Sequence, residues 1–253
     1  MSTIFKKFNE EKIAIINPTD STKAIKDFPE ICISTFSKKI IDKFASIDGV
    51  VKIADLYSAN GANPVYKINY GGRDIAFYLS LVGAPACVCG FEEIVAMGAK
   101  RFVLFGSCGI LDDSVKDKLI VPTTAVRDEG TSYHYIPASN ELSADKEFIN
   151  ILVSCMKKYG YSFAQGKSWT TDAIYRETSS IINERKNQGC IAVEMEFSAM
   201  LAVSQFRNIP FIQFLYGADS LDNDKWDVRD LNDHGLTKAE KLMTLAFECG
   251  IAL

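Results

Sequence analysis

The chain has 253 residues, 47% hydrophobic and 24% charged. These proportions exclude intrinsic disorder and allow a sizeable core without disulfides or metals. Thirty-two acidic residues against 28 basic ones give a net charge of −4 with no basic stripe, so a nucleic-acid partner is not expected.

In chain order, Lys12–Asn17 is a short apolar run closed by Pro18 and reads as a buried strand. Phe36–Ile47 places Phe36, Ile40, Ile41, Phe44 and Ile47 on one helical face. Val65–Ser80 reads as a hairpin about Gly71–Gly72. Phe91–Gly98 reads as a helix ended by its glycine, followed by buried strands at Arg101–Gly106 and Leu119–Val126. Ala144–Lys158 is an amphipathic helix, Ser162–Thr171 a strand and Ser179–Gln188 a helix. A short strand, Cys190–Val193, hands over to a helix over Val193–Phe206. Phe211–Ala218 is the last strand and Thr237–Cys249 the last helix. Strands alternating with helices predict an α/β fold, and the hairpin makes its central sheet mixed. No Pro/Gly-rich linker divides the chain, so one domain over residues 1–253 is expected.

No apolar run reaches membrane-spanning length, and the first twelve residues lack the apolar core of a secretory leader. The seven cysteines are scattered without a Cys-x-x-Cys pair, and there are two histidines, so neither a zinc site nor a disulfide framework is expected. A cytoplasmic protein with reduced thiols is the expectation.

In sheets of this kind, ligands sit beyond the carboxyl ends of strands. Four polar clusters fall there. Gly106-Ser107-Cys108-Gly109 is either a tight turn or a nest of N–H groups for an anion. Val193-Glu194-Met195-Glu196 puts two carboxylates beside an apolar strand. A carboxylate there can accept from the two hydroxyls of a ribose, or serve the first turn of the next helix, which suits Glu194 better than Glu196. Asp219, in Tyr216-Gly217-Ala218-Asp219-Ser220, is a turn cap or a general acid. Ile174, Tyr175 and Arg176 follow another strand; Tyr175 can wall a slot for a planar base and Arg176 can meet an anion or carbonyl. An anion nest, a diol acceptor, an acid and an aromatic wall together describe a nucleoside site.

These residues, in this order, resemble the nucleoside phosphorylase superfamily of hexameric purine nucleoside phosphorylases, uridine phosphorylases and methylthioadenosine nucleosidases. The segments that carry the resemblance are GGRDIAFYLSLVGAPA, GFEEIVAMGAKRFVLFGSCGIL, VRDEGTSYHY, TTDAIYRE, VEMEFSAM and YGADSLD. The resemblance implies one α/β domain with a mixed, partly barrel-like sheet flanked by helices. It implies phosphate at Gly106, Ser107 and Gly109, ribose at Glu194, Met195 and Glu196, and the base at Ile174, Tyr175 and Arg176. It further implies Asp219 as the acid that protonates a purine at N7, supported by Arg229. Inorganic phosphate is then co-substrate, no other cofactor is needed, and a homo-oligomer, a dimer or trimer of dimers, is expected.

Phosphorolysis of a ribonucleoside, a purine slightly favoured, is the first expectation. Departures keep others open. Leu104 stands where the family's phosphorylases carry an Arg before the phosphate loop. They also carry Gly-Asp-Pro-x-Arg after the first strand, where this chain has residues 17–23, so both phosphate arginines are absent at matching positions. Lys23, Arg127, Arg176 or a neighbour's Lys52 are the candidate substitute cations. Ile174 replaces an aromatic, and the Gln-x-Arg pair by which uridine phosphorylases read uracil is not visible, although Arg176 or Gln165 offers another clamp. A uridine phosphorylase, a hydrolytic nucleosidase and a non-catalytic nucleoside-binding protein are the alternatives.

Overall fold

The structure, a computed structural model, describes residues 8–222, 227 and 236–253. Its first strand is β1 (Ile31–Thr35), buried at every position. The run Lys12–Asn17 is not a strand. Ile13, Ile15 and Ile16 are largely exposed, and only the four-residue helix α1 (Pro18–Ser21) follows. The physical reason is that β1 already sits between two parallel neighbours, leaving that position in the sheet no free edge.

The segment after β1 enters helix α2 (Lys38–Ala45), capped by the Ser37 side chain and burying Ile40, Ile41 and Phe44. Strands β2 (Val51–Ser58), β3 (Gly61–Tyr70) and β4 (Arg73–Leu79) form an antiparallel meander, with β4 parallel to β1. The β3–β4 turn has Gly71 and Gly72 at φ 57° and 78°, the pair of positive angles that a two-residue turn of this hand requires. Helix α3 (Ala84–Met97) begins after Gly83, with a Pro in its first turn, and ends on Gly98. It starts seven residues, about two turns, before the Phe91 that the apolar pattern predicts.

The remaining strands are β5 (Arg101–Ile110), β6 (Leu119–Asp128), β7 (Glu141–Ser143), β8 (Phe163–Thr171), β9 (Cys190–Glu194) and β10 (Phe211–Ser220). β5 pairs with β1, β9 and β10; β10 pairs with β6, β6 with β8, and β8 with β9. Strands β5, β10, β6, β8 and β9 therefore close a ring, while β1, β4, β3 and β2 extend from it as an open sheet. This mixed, partly barrel-like sheet in a single α/β domain is the expected fold.

Helices α4 (Lys146–Lys158), α5 (Ser179–Asn187), α6 (Phe197–Arg207) and α7 (Leu236–Ala252) complete the chain. One apolar cluster gathers Phe91, Phe102, Phe197 and Phe211; a second gathers Phe77, Phe105, Phe214 and Phe247. Aromatic contacts such as the stacked Phe105–Phe214 pair fix the cores of β5 and β10 against each other. No helix among the described residues is long and apolar enough to cross a membrane.

Candidate active site

Two departures from regular strand geometry aim the site. β5 stays extended through Gly106-Ser107-Cys108-Gly109, paired with β10 from Leu215 to Asp219. The tetrapeptide is thus neither a turn nor a nest, and neither of its glycines has a positive φ. Its small residues serve close approach instead: a Cβ on Gly109 would lie 2.9 Å from Val193 Cγ1 and 3.6 Å from Asp219 Oδ1. The second departure is a bulge in β10, where the register passes from Gly217 to Asp219 and skips buried Ala218. A bulge re-aims the following side chain, and Asp219 lines the pocket that opens here.

That pocket has a volume of about 460 Å³, within the range for a small-molecule site. Ser107, Gly109, Ile174, Tyr175, Glu194, Met195, Glu196 and Asp219, all expected at the site, line it. Tyr175 and Ile174 are 95% and 53% exposed and form the open rim. Gly106 adjoins it, beneath the ring of Phe36. Arg176 is not among the lining residues, and Arg229 lies outside the described residues.

The two glutamates of the Val-Glu-Met-Glu segment divide the work. Glu194 accepts from Thr170 Oγ1 at 2.5 Å and from the backbone N–H groups of Glu196 and Phe197 at 2.8 and 2.6 Å. Its carboxylate satisfies the first N–H groups of α6, which is why that helix starts at Phe197 and not at Val193. Burial pushes its pKa up to about 7 against those hydrogen bonds. Glu196 accepts from the backbone N–H of Gly83 at 2.6 Å. Burial, then the charge of Glu194, pushes its pKa up to about 8.

Two of the pocket residues missed by sequence reasoning bear on its chemistry. Glu177 lines the wall beside the rim, and burial followed by the charge of Asp219 raises its pKa to about 7. It directly follows the Ile-Tyr-Arg segment, so its position was legible while its inward aim was not. The other is Phe36, expected only as part of a helical face, which lines the pocket from the end of β1.

The candidate substitute cations are elsewhere. Arg127 donates to Ser132 Oγ, Ser139 Oγ and the carbonyls of Ile136 and Pro137, and stacks 4.0 Å from the Tyr133 ring. It holds the Thr131–Ser139 segment in place. Lys23 and Gln165 are absent from the lining; Lys52, expected only from a neighbouring copy, pairs with Asp55 within the chain. Because the first strand is β1, the residues that follow it are Phe36-Ser37-Lys38-Lys39 and not 17–23; Lys38 there pairs with Asp42.

The model of the phosphorylase superfamily matches residues 31–248. The chain belongs to the phosphorylase superfamily. A guanosine phosphorylase of Halorubrum lacusprofundi is 25% identical over 167 residues, which cover 64% of this chain and 69% of that protein. Among solved structures, a uridine phosphorylase from Vibrio fischeri ES114 superposes with a TM-score of 0.76 at 20% identity, covering 92% of this chain and 97% of that one. An AMP nucleosidase from Bacteroides thetaiotaomicron gives 0.70 at 18%, covering 88% and 87%. Proteins named as phosphorylases and one named as a nucleosidase thus share this fold.

Proposed function

We propose that the chain cleaves the N-glycosidic bond of a ribonucleoside in this pocket, releasing the base and passing the ribosyl carbon to an oxygen acceptor. The observation that carries this reading is Glu196, a nearly fully buried carboxylate held by the backbone N–H groups of Gly83 and Met195, in the same pocket as Asp219. A carboxylate has lone pairs for several donors, so these bonds leave capacity for the ribose 2′ and 3′ hydroxyls. Met195 packs the sugar, and Ile174 and Tyr175 wall the base. Asp219 protonates a purine at N7 as the C1′–N9 bond breaks, which favours purine nucleosides over uridine. Positioning and charge, with no covalent intermediate, supply most of the acceleration.

The name of the guanosine phosphorylase relative supports phosphate as acceptor. Leu104, wholly buried in the apolar core, opposes it. A homo-oligomer belongs to the same reading, with the exposed rim of Tyr175 and Ile174 available to a second copy.

The test is base release from inosine, guanosine, adenosine and uridine, followed by absorbance with phosphate present. Purine release that Glu196→Gln abolishes supports the reading. No release from any of the four leaves a nucleoside-binding protein on this fold.

A further inference from the structure

We infer that the ribosyl acceptor at this site is water, because Phe36 occupies the place an anionic acceptor needs. This rests on the reading that the pocket cleaves nucleosides. It concerns only what attacks C1′.

The first observation is steric. A Cβ built on Gly106 would lie 2.7 Å from Phe36 Cδ2 and 3.0 Å from Cε2. The phenyl ring therefore lies directly on the glycine whose bare backbone an anion would approach. The second is the backbone itself: Gly106 to Gly109 remain in the β5 ladder beside β10, so their amides do not converge on a point.

The third observation is electrostatic. Four carboxylates line the pocket, Glu177, Glu194, Glu196 and Asp219, and no Lys, Arg or His does so among the described residues. Phosphate entering here meets carboxyl groups and no cationic side chain among the described residues, whereas a neutral water needs no counter-charge. Arg127, a buried cation within the Val-Arg-Asp-Glu-Gly segment, already has each of its donor groups engaged.

The step balances without any other reagent. Water oxygen bonds to C1′ as the C1′–N9 pair departs with the base. Asp219 gives N7 its proton, and the surplus proton of water passes to Glu177, the lining carboxylate with no hydrogen-bond or ion-pair partner among the described residues. Solvent exchange returns both groups to their starting state. Nucleoside plus water yields free ribose plus free base. Glu177's elevated pKa suits a base working near neutral pH.

The experiment incubates the purified full chain with inosine and guanosine, with and without inorganic phosphate, at constant ionic strength, and identifies the sugar by NMR. Expected products are free base and free ribose, at rates that phosphate alters by less than about twofold. Glu177→Gln should lower kcat by ~10²-fold or more with KM little changed. Ribose 1-phosphate, or a rate that saturates with phosphate, overturns the inference while leaving nucleoside cleavage standing; a cation lent by a second copy would show itself this way. Release of no base overturns both. A normal kcat in a folded Glu177→Gln removes Glu177 as the proton acceptor. Melting temperature gives an arm that needs no turnover: a saturable rise with phosphate beyond a chloride control also overturns the inference, and its absence supports it.

Discussion

The Gly83 N–H points at Glu196 Oε1 from 2.6 Å, across 113 residues of sequence. Gly83 has φ 96° and is the N-cap of α3, while Glu196 is the N-cap of α6. One hydrogen bond therefore ties the start of one helix to the start of another. The positive φ is what turns the Gly83 N–H toward the carboxylate, and it is an angle that side-chain-bearing residues resist.

Gly83→Ala is expected to cost ~1–2 kcal/mol of stability from that angle alone, since a Cβ there meets no neighbour within 4 Å. Because the backbone relaxes to relieve it, the Glu196 anchor loosens as well. Kinetics with a purine nucleoside should show KM rising about tenfold in a protein that still unfolds cooperatively. Unchanged KM would detach this bond from sugar binding.

Glu196→Gln is expected to lower kcat/KM by at least ~10²-fold, since a charged hydrogen bond contributes ~1.5–3 kcal/mol. Its effect on stability has the opposite sign at high pH. With a folded pKa of about 8 against an ordinary value of 4.5, the folded state holds the proton more tightly than the unfolded chain does. Wild-type stability therefore falls as pH rises from about 4.5 to about 8 and levels off above that. The glutamine variant lacks that term, so denaturant melts at pH 5 and pH 8.5 should show it gaining about 1 kcal/mol or more on wild type over that interval.

Asp219→Asn keeps the shape and removes the transferable proton. Natural purine nucleosides should lose ~10²–10⁴-fold in turnover. A 7-methylated purine nucleoside, already cationic, should lose far less. Equal losses on inosine and 7-methylinosine would leave Asp219 as a turn residue only.

Sedimentation at micromolar concentration is expected to show a dimer or larger assembly. A stable and active species of 28.0 kDa would refute the oligomer.

The ends of the strands were legible because apolar runs stop there and polar clusters begin. That alone located Ser107, Glu196 and Asp219 in one pocket. β1 was not legible: Ile-Cys-Ile-Ser-Thr mixes small polar residues into its run, and Ser34 and Thr35 are buried without an apolar signature. Lys12–Asn17 looked more like a strand, but strand identity depends on a partner, and β1 already fills the place between β4 and β5. Misplacing the first strand also hid Phe36, whose meaning comes only from lying over Gly106. Gly106-Ser107-Cys108-Gly109 read as a turn because glycines mark turns on average, whereas here both face side chains too close for a Cβ. Glu177 was silent because an isolated Glu after an Arg reads as surface.

The closed ring has a kinetic corollary. Its seam joins Phe102–Ile110 to Phe211–Ser220, so it forms only after more than a hundred intervening residues are gathered. Contacts so distant in sequence pair slowly, and the transition state for folding should bear that cost. Asp219 and Gly109 face each other across this same seam, so native-state hydrogen exchange should slow along β10 when a nucleoside or base is bound, since a ligand spanning the seam opposes its opening.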